Sequence, residues 1–149
     1  LSSESKLEIR GMLREVTEIE SIGDSCYNLA RTVNRKRTGG NDFTEKQYEH
    51  IHQMMQLTEN ALKHMVAIVE DDAHVVDVNH SFNIENEMNN YRSQLKNQNI
   101  LDVNNKEYDY QMGVHYMDLI GECEKLGDYV VNVVEARTNV KEKKTNENR

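Results

Sequence analysis

Not one proline interrupts the 149 residues, and apolar side chains recur at intervals of three and four along most of the chain. A missing proline leaves every backbone N–H free to donate within a helix, and the three-four spacing puts apolar groups on one helical face. Alternating β-branched stretches are absent and glycines number only seven, so the fold class is all-α. The length suits one domain with a sizeable core.

Ile9, Met12, Val16, Ile19, Gly23, Cys26, Ala30 and Val33 define the buried stripe expected for a first helix from about Glu4 to Lys36, stopped by "TGGN". In "DFTEKQY", Thr44 is the expected N-cap and Gln47 closes a capping box, with Phe43 and Tyr48 as a hydrophobic staple. Tyr48, Ile51, Met55, Leu62, Met65 and Val69 mark the inward face of the second helix. A third helix is expected from the Asp71 region to about Lys96, with Ile84, Met88, Tyr91 and Leu95 inward, followed by the Asn-rich connection "NQNILDVNNKEYD". The fourth runs from roughly Tyr108 to Ala136 on Met112, Tyr116, Leu119, Cys123, Leu126, Val130 and Val133. Four such helices suggest an antiparallel up-down-up-down bundle over residues 1–138, with 139–149 a polar, disordered tail.

The net charge of −8 repels phosphate backbones, which argues against nucleic-acid binding. No apolar run reaches the length of a membrane span and no signal peptide is present, so this stretch does not itself insert into a membrane. Cys26 and Cys123 lie on apolar faces without zinc or redox spacing, as packed thiols in a reducing compartment would. Glu49-x-x-His52 has the spacing of a di-iron carboxylate site. Its second copy is wanting: Asp71-x-x-His74 and Asp77-x-x-His80 offer Asp in place of Glu within an irregular stretch. With neither a phosphate loop nor a Ser-centred or Cys–His nucleophile motif, an enzyme is not expected.

One phrase is written twice. Glu18, Glu20, Gly23, Asp24 and Asn28 match Glu122, Glu124, Gly127, Asp128 and Asn132, each pair 104 positions apart. Glu20 and Asp24 are like charges four apart, a mildly unfavourable pair, and glycine inside a helix costs about 1 kcal/mol. Both glycines fall on the expected buried faces, where they admit a neighbouring helix. Glu20, Asp24 and Asn28, and again Glu124, Asp128 and Asn132, line one helix edge with oxygens about 6 Å apart along the axis. Such a row can ligate a cation. It can equally be an ordinary solvated acidic face.

The repeated phrase resembles the E-R-I-G-D-x-x-x-N-I signature of the PhoU family of phosphate-uptake regulators. That resemblance implies two tandem three-helix repeats, with residues 4–36 as the last helix of one and 44–136 as the whole of the next. It implies iron or zinc held by E/D-x-x-x-D motifs, on Glu20, Asp24, Glu124 and Asp128, with Asn28, Asn132 and Glu85 as further ligands. In "IENEMNNYRSQL" Asn89 stands where the family's middle helix carries an acid, and Ser21 and Lys125 stand where it often carries arginine. PhoU-like regions also form the cytoplasmic C-terminal part of bacterial sodium/phosphate cotransporters. The layout of a chain starting mid-repeat fits that setting, with the membrane transporter domain of the same protein as partner, on the cytoplasmic side of the cell membrane. A homo-oligomer is compatible with that setting; the alternative from the same features is a structural or dimerising helical interaction module that binds no metal.

Overall fold

In the computed structural model, which describes residues 1–70 and 77–138, the helix at the C-terminal end organises the others. Helix α1 spans Ser3–Thr38, α2 Glu45–Glu70, α3 Val78–Asn104 and α4 Tyr110–Thr138. The chain is all-α, as the periodicity predicts. Each of the first three helices packs on α4, and α2 and α3 also pack on each other, whereas among the described residues α1 packs along α4 alone and touches α2 where Lys36 donates to the Tyr48 hydroxyl at 2.9 Å. Ion pairs and hydrogen bonds fix the directions. Arg14 meets Glu135 and Ser25 meets Glu122, so α1 runs against α4. Arg92 meets Glu124 and Asn99 meets the Gly113 carbonyl, so α3 does too. His50 meets Tyr116 and Arg137 meets the Val69 carbonyl, so α2 runs along α4.

The helix starts are chemically ordinary. Ser2 caps α1 and Asp77 caps α3, each accepting from a first-turn N–H. Thr44 and Gln47 form the expected capping box: the Gln47 N–H donates to Thr44 Oγ1 and the Thr44 N–H to Gln47 Oε1. The Phe43 and Tyr48 rings meet edge-on at 5.6 Å. The core is built from Met54, Ile68, Met88, Ile120, Leu126, Val130, Val133 and Val134, all essentially inaccessible. Half of these belong to α4 beyond Cys123, which is why three helices can share it.

Several boundaries and faces differ from the sequence expectation. Helix α3 continues to Asn104, so the Asn-rich connection shrinks to a short turn. The Asn99 side chain explains why: it accepts a hydrogen bond from the Tyr108 hydroxyl at 2.6 Å and lies on the Gly113 carbonyl, so tertiary partners outweigh weak helix propensity. On α2 the buried line is Ile51, Met54, Thr58, Ala61, Met65 and Ile68, while Tyr48 and Met55 are exposed. The largest departure is α1. Its inward seam is Gly11, Glu15, Glu18, Ile22, Ser25, Leu29, Thr32 and Lys36, mostly polar, and the expected apolar stripe faces solvent. Met12, Val16 and Ile19 are 58%, 64% and 44% exposed. Cys26 is exposed, so only Cys123 is the packed thiol expected of both. A helix with one neighbour buries one seam, and here the polar one matches the partner. The expectations for Asp71, His74 and the tail at 139–149 lie outside the described residues.

Candidate functional site

The two copies of the repeated phrase lie side by side across the α1–α4 seam, running in opposite directions. Glu18, the first acid of one copy, accepts a hydrogen bond from Asn132, the last amide of the other, at 3.2 Å. At the opposite end Ser25 donates to Glu122 at 2.7 Å, and Lys125 lies 3.4 Å from the same carboxylate. Glu18, Glu122 and Asn132 thus face the seam, and antiparallel packing brings the start of the α1 copy to the end of the α4 copy.

The residues between them do not converge. Glu20 and Asp24 are exposed and turn away from α4, and Asn28 is half-buried beside the groove described below. A Cβ added at Gly23 would meet nothing within 4 Å, so this glycine does not serve the close approach expected of it. Gly127 does: a Cβ there would lie 3.0 Å from Met88 Sδ. Its neighbours Glu124 and Asp128 accordingly sit at the α3 side of α4, not the α1 side.

On that side α3 presents Glu85, Asn89 and Arg92. The Asn89 amide donates to Glu85 Oε1 at 2.8 Å, and the Asn89 carbonyl oxygen is buried without a hydrogen-bond partner among the described residues. Arg92 Nε lies 2.7 Å from Glu124 Oε2. Burial pushes the Glu124 carboxyl above its usual range; Arg92 pulls it back and the Asp128 charge raises it again. The positive charge facing Glu124 is therefore a guanidinium of the chain itself. Among the described residues no three His, Cys, Asp or Glu side chains are grouped as metal ligands. The residues present do not fit a multinuclear iron or zinc cluster.

Two features escaped sequence reasoning. A groove of about 560 Å³ between α1, α3 and α4 is lined by Arg31, Arg35, Arg92 and Lys125 together with Glu122 and Glu124. These residues come from three helices, so no local spacing marks them. A second, smaller cavity of about 280 Å³ lies over His50, Tyr108 and Tyr116. His50 Nδ1 is 2.9 Å from the Tyr116 hydroxyl; burial lowers the imidazole's pKa and raises the phenol's. Burial also pushes Tyr108 up to about 12, so both phenols stay protonated as donors. Glu49 and His52 are both exposed, and among the described residues no carboxylate-bridged site forms around them.

No helix among the described residues is long and apolar enough to cross a membrane. Comparison with known proteins returns the PhoU domain, matched over residues 51–136, from the second turn of α2 almost to the end of α4. No curated protein and no solved structure matches the chain. The match covers more than half of the sequence and contains the second copy of the phrase, with Glu124, Gly127 and Asp128 in the α3–α4 interface. The chain belongs to the PhoU domain family.

Proposed function

We propose that this PhoU domain is a non-enzymatic regulator of phosphate transport, working at the cytoplasmic face of the membrane on a sodium-dependent phosphate transporter whose membrane part is its partner. The observation that carries the proposal is the family match across three of the four helices. Regulation of this kind needs helix surfaces that a transporter can engage, not a reaction centre. Consistent with that, the Cys123 thiol is buried and raised to about 11, far from the thiolate a nucleophile requires. The test is phosphate uptake in cells carrying or lacking this domain, with sodium or choline as the external cation, before and after phosphate starvation. Loss of the starvation response only in sodium is the expected result. Identical uptake in both strains under all four conditions would refute the proposal.

A second reading keeps a single divalent cation, iron or zinc, at the α4 copy of the phrase, on Glu124 and Asp128. It is favoured by the buried Asn89 oxygen, which has no hydrogen-bond partner among the described residues, and by Asp128 close enough to raise Glu124. Elemental analysis of protein purified without chelator, beside a Glu20→Gln/Asp24→Asn/Glu124→Gln/Asp128→Asn variant, decides it. Near-stoichiometric metal lost in the variant supports the cation. Metal-free protein with an equally stable variant rules it out.

A further inference from the structure

The smaller cavity, of about 280 Å³, is lined from α2, α3, α4 and the chain just before α2 and α4, without any residue of α1. Its inner surface is buried: Gln47, Leu95 and Tyr116 are 3%, 4% and 2% exposed. The Gln47 side chain is committed at one end only. Its Oε1 accepts the Thr44 N–H of the capping box, whereas its Nε2 is buried without a hydrogen-bond partner among the described residues. An amide donor left unmade in a buried place is costly, and one that lines a cavity is met by what occupies it. Asp102 lines the same cavity; it accepts from the Gln98 amide at 2.9 Å but enters no ion pair among the described residues. The Tyr108 phenol is near enough to Gln47 and to Asp102 for each to shift its hold on the proton, so the three groups stand together. We propose that this cavity binds a small planar aminoheterocycle of the adenine type, with Gln47 Nε2 donating to a ring nitrogen and Asp102 accepting from the exocyclic amine.

The unmet groups are one donor and one acceptor, and they ask of a ligand the reverse, an acceptor beside a donor on one edge. The amino group and neighbouring ring nitrogen of adenine are such an edge. The walls suit a flat ring. Tyr108, Tyr116 and His50 all line the cavity, and the His50 and Tyr116 rings lie 6.4 Å apart, joined by their 2.9 Å hydrogen bond. Burial keeps the imidazole neutral and both phenols protonated, so these walls offer uncharged aromatic surface for stacking. Charge narrows the choice. Lys46 and Glu107 are exposed at the mouth with opposite signs, so no net field there draws a phosphate. Asp102 alone would suit a free cation, but the amide hydrogens of Gln47 repel one. Size agrees: the cavity lies just below the roughly 300–1,000 Å³ of pockets that enclose drug-sized ligands, which suits a base with its sugar at the mouth. None of these residues belongs to the repeated phrase, so the site is separate from the acidic pairs.

Equilibrium dialysis of adenosine against the full chain tests the assignment, with inosine as the comparison ligand. Inosine carries a carbonyl in place of the amine and an N–H in place of the bare ring nitrogen, so it reverses both hydrogen bonds. Adenosine should saturate one site per chain, and inosine should bind about tenfold more weakly or worse. Gln47→Glu keeps an oxygen for the Thr44 N–H, and with it the capping box, but removes the donor. Adenosine affinity should fall about tenfold in that variant, with the helical circular dichroism spectrum unchanged. A carboxylate at a buried position costs stability, so Asp102→Asn supplies an independent reading: the side chain is half-buried, and its amide oxygen can still accept from Gln98. It offers a donor where the carboxylate accepted, and the preference for adenosine over inosine should narrow or reverse. A cavity that holds water only, seen as no saturable binding of either nucleoside at millimolar concentration, overturns the proposal. Equal binding of the two nucleosides overturns it too, as does a preference that survives Asp102→Asn or an affinity that survives Gln47→Glu. None of these outcomes bears on phosphate uptake, so the pocket and the proposed function fail separately.

Discussion

Replacing Arg92 by methionine tests whether the α3–α4 acids are held by the protein's own cation. Methionine keeps much of the stem volume and removes the charge. The pair is neither buried nor free: the Arg92 and Glu124 side chains are 37% and 23% exposed. Fully exposed pairs contribute about 0.5 kcal/mol, and breaking a buried one costs about 3–5 kcal/mol. Intermediate exposure places Arg92→Met at roughly 1.5 kcal/mol of lost stability at neutral pH, a melting shift of about 3–6 °C for a domain of this size. The loss should depend on Glu124. In a Glu124→Gln background no carboxylate is left stranded, and the cost of Arg92→Met should fall to roughly 0.5 kcal/mol.

The pH dependence gives the stricter check. Burial and Asp128 raise the Glu124 pKa in the folded protein above its usual 4.5, despite Arg92. Folding therefore disfavours the charged form. The cost is fully present above the folded pKa and is relieved as pH falls through it toward the unfolded value, where the folded state binds the proton first. Removing Arg92 raises the folded pKa further. The stability gap between the unsubstituted protein and Arg92→Met should then be widest near pH 7 and narrow toward pH 4.5, measured as urea midpoints of both proteins at each pH. A gap that is constant with pH, or undiminished in the Glu124→Gln background, would mean Arg92 acts through packing alone.

Three further tests, two substitutions and one labelling experiment, probe the packing of the helices. Gly113→Ala gains about 1 kcal/mol of helix propensity but places a Cβ 2.9 Å from Val103 Cγ2 and 3.1 Å from Asn99 Oδ1. Overpacking costs about 1–3 kcal/mol, so thermal melts should show a net loss of roughly 1 kcal/mol, reversed when Val103→Ala is added. Ser25→Ala removes the donor to Glu122 and should cost roughly 1 kcal/mol in chemical denaturation, loosening α1 rather than the other three helices. A maleimide probe should label Cys26 within minutes in native buffer and Cys123 only after unfolding, as intact mass spectrometry at timed quenches will read, because Cys123 is 1% exposed and its thiol is raised to about 11.

Much of this was legible in sequence because it is local. The Thr44–Gln47 capping box, the Phe43–Tyr48 contact and the α4 core line depend on residues a few positions apart, and each is found where spacing puts it. The seam of α1 was not legible. Two seams of identical three-four spacing lie one residue apart on that helix, and hydrophobicity favours the wrong one for contact with α4. Only the partner's surface decides, and the α4 face turned to α1 carries Glu122, Asn132 and Glu135. Arg92 was equally hidden: its role depends on α3 and α4 lying antiparallel, with residues 32 positions apart at one height.

The duplicated phrase can now be divided by what each residue touches. Glu18 and Asn132 tie the helices across the seam, and Glu122 does the same through Ser25, so the first acid of each copy stabilises the antiparallel packing of α1 on α4. Of the two ties, Glu18–Asn132 takes one end from each copy, and Glu122 meets Ser25, which lies outside the matched positions. The interior acids have parted company. In the α4 copy Glu124 and Asp128 lie in an interface beside Gly127, where burial makes the Glu124 charge costly and Arg92 offsets it. In the α1 copy Glu20 and Asp24 stand in water beside a glycine with open space above it. A common function for both acidic pairs would need equal surroundings, and they have opposite ones. What the copies share is the tie between α1 and α4, and this holds the apolar stripe of α1 outward.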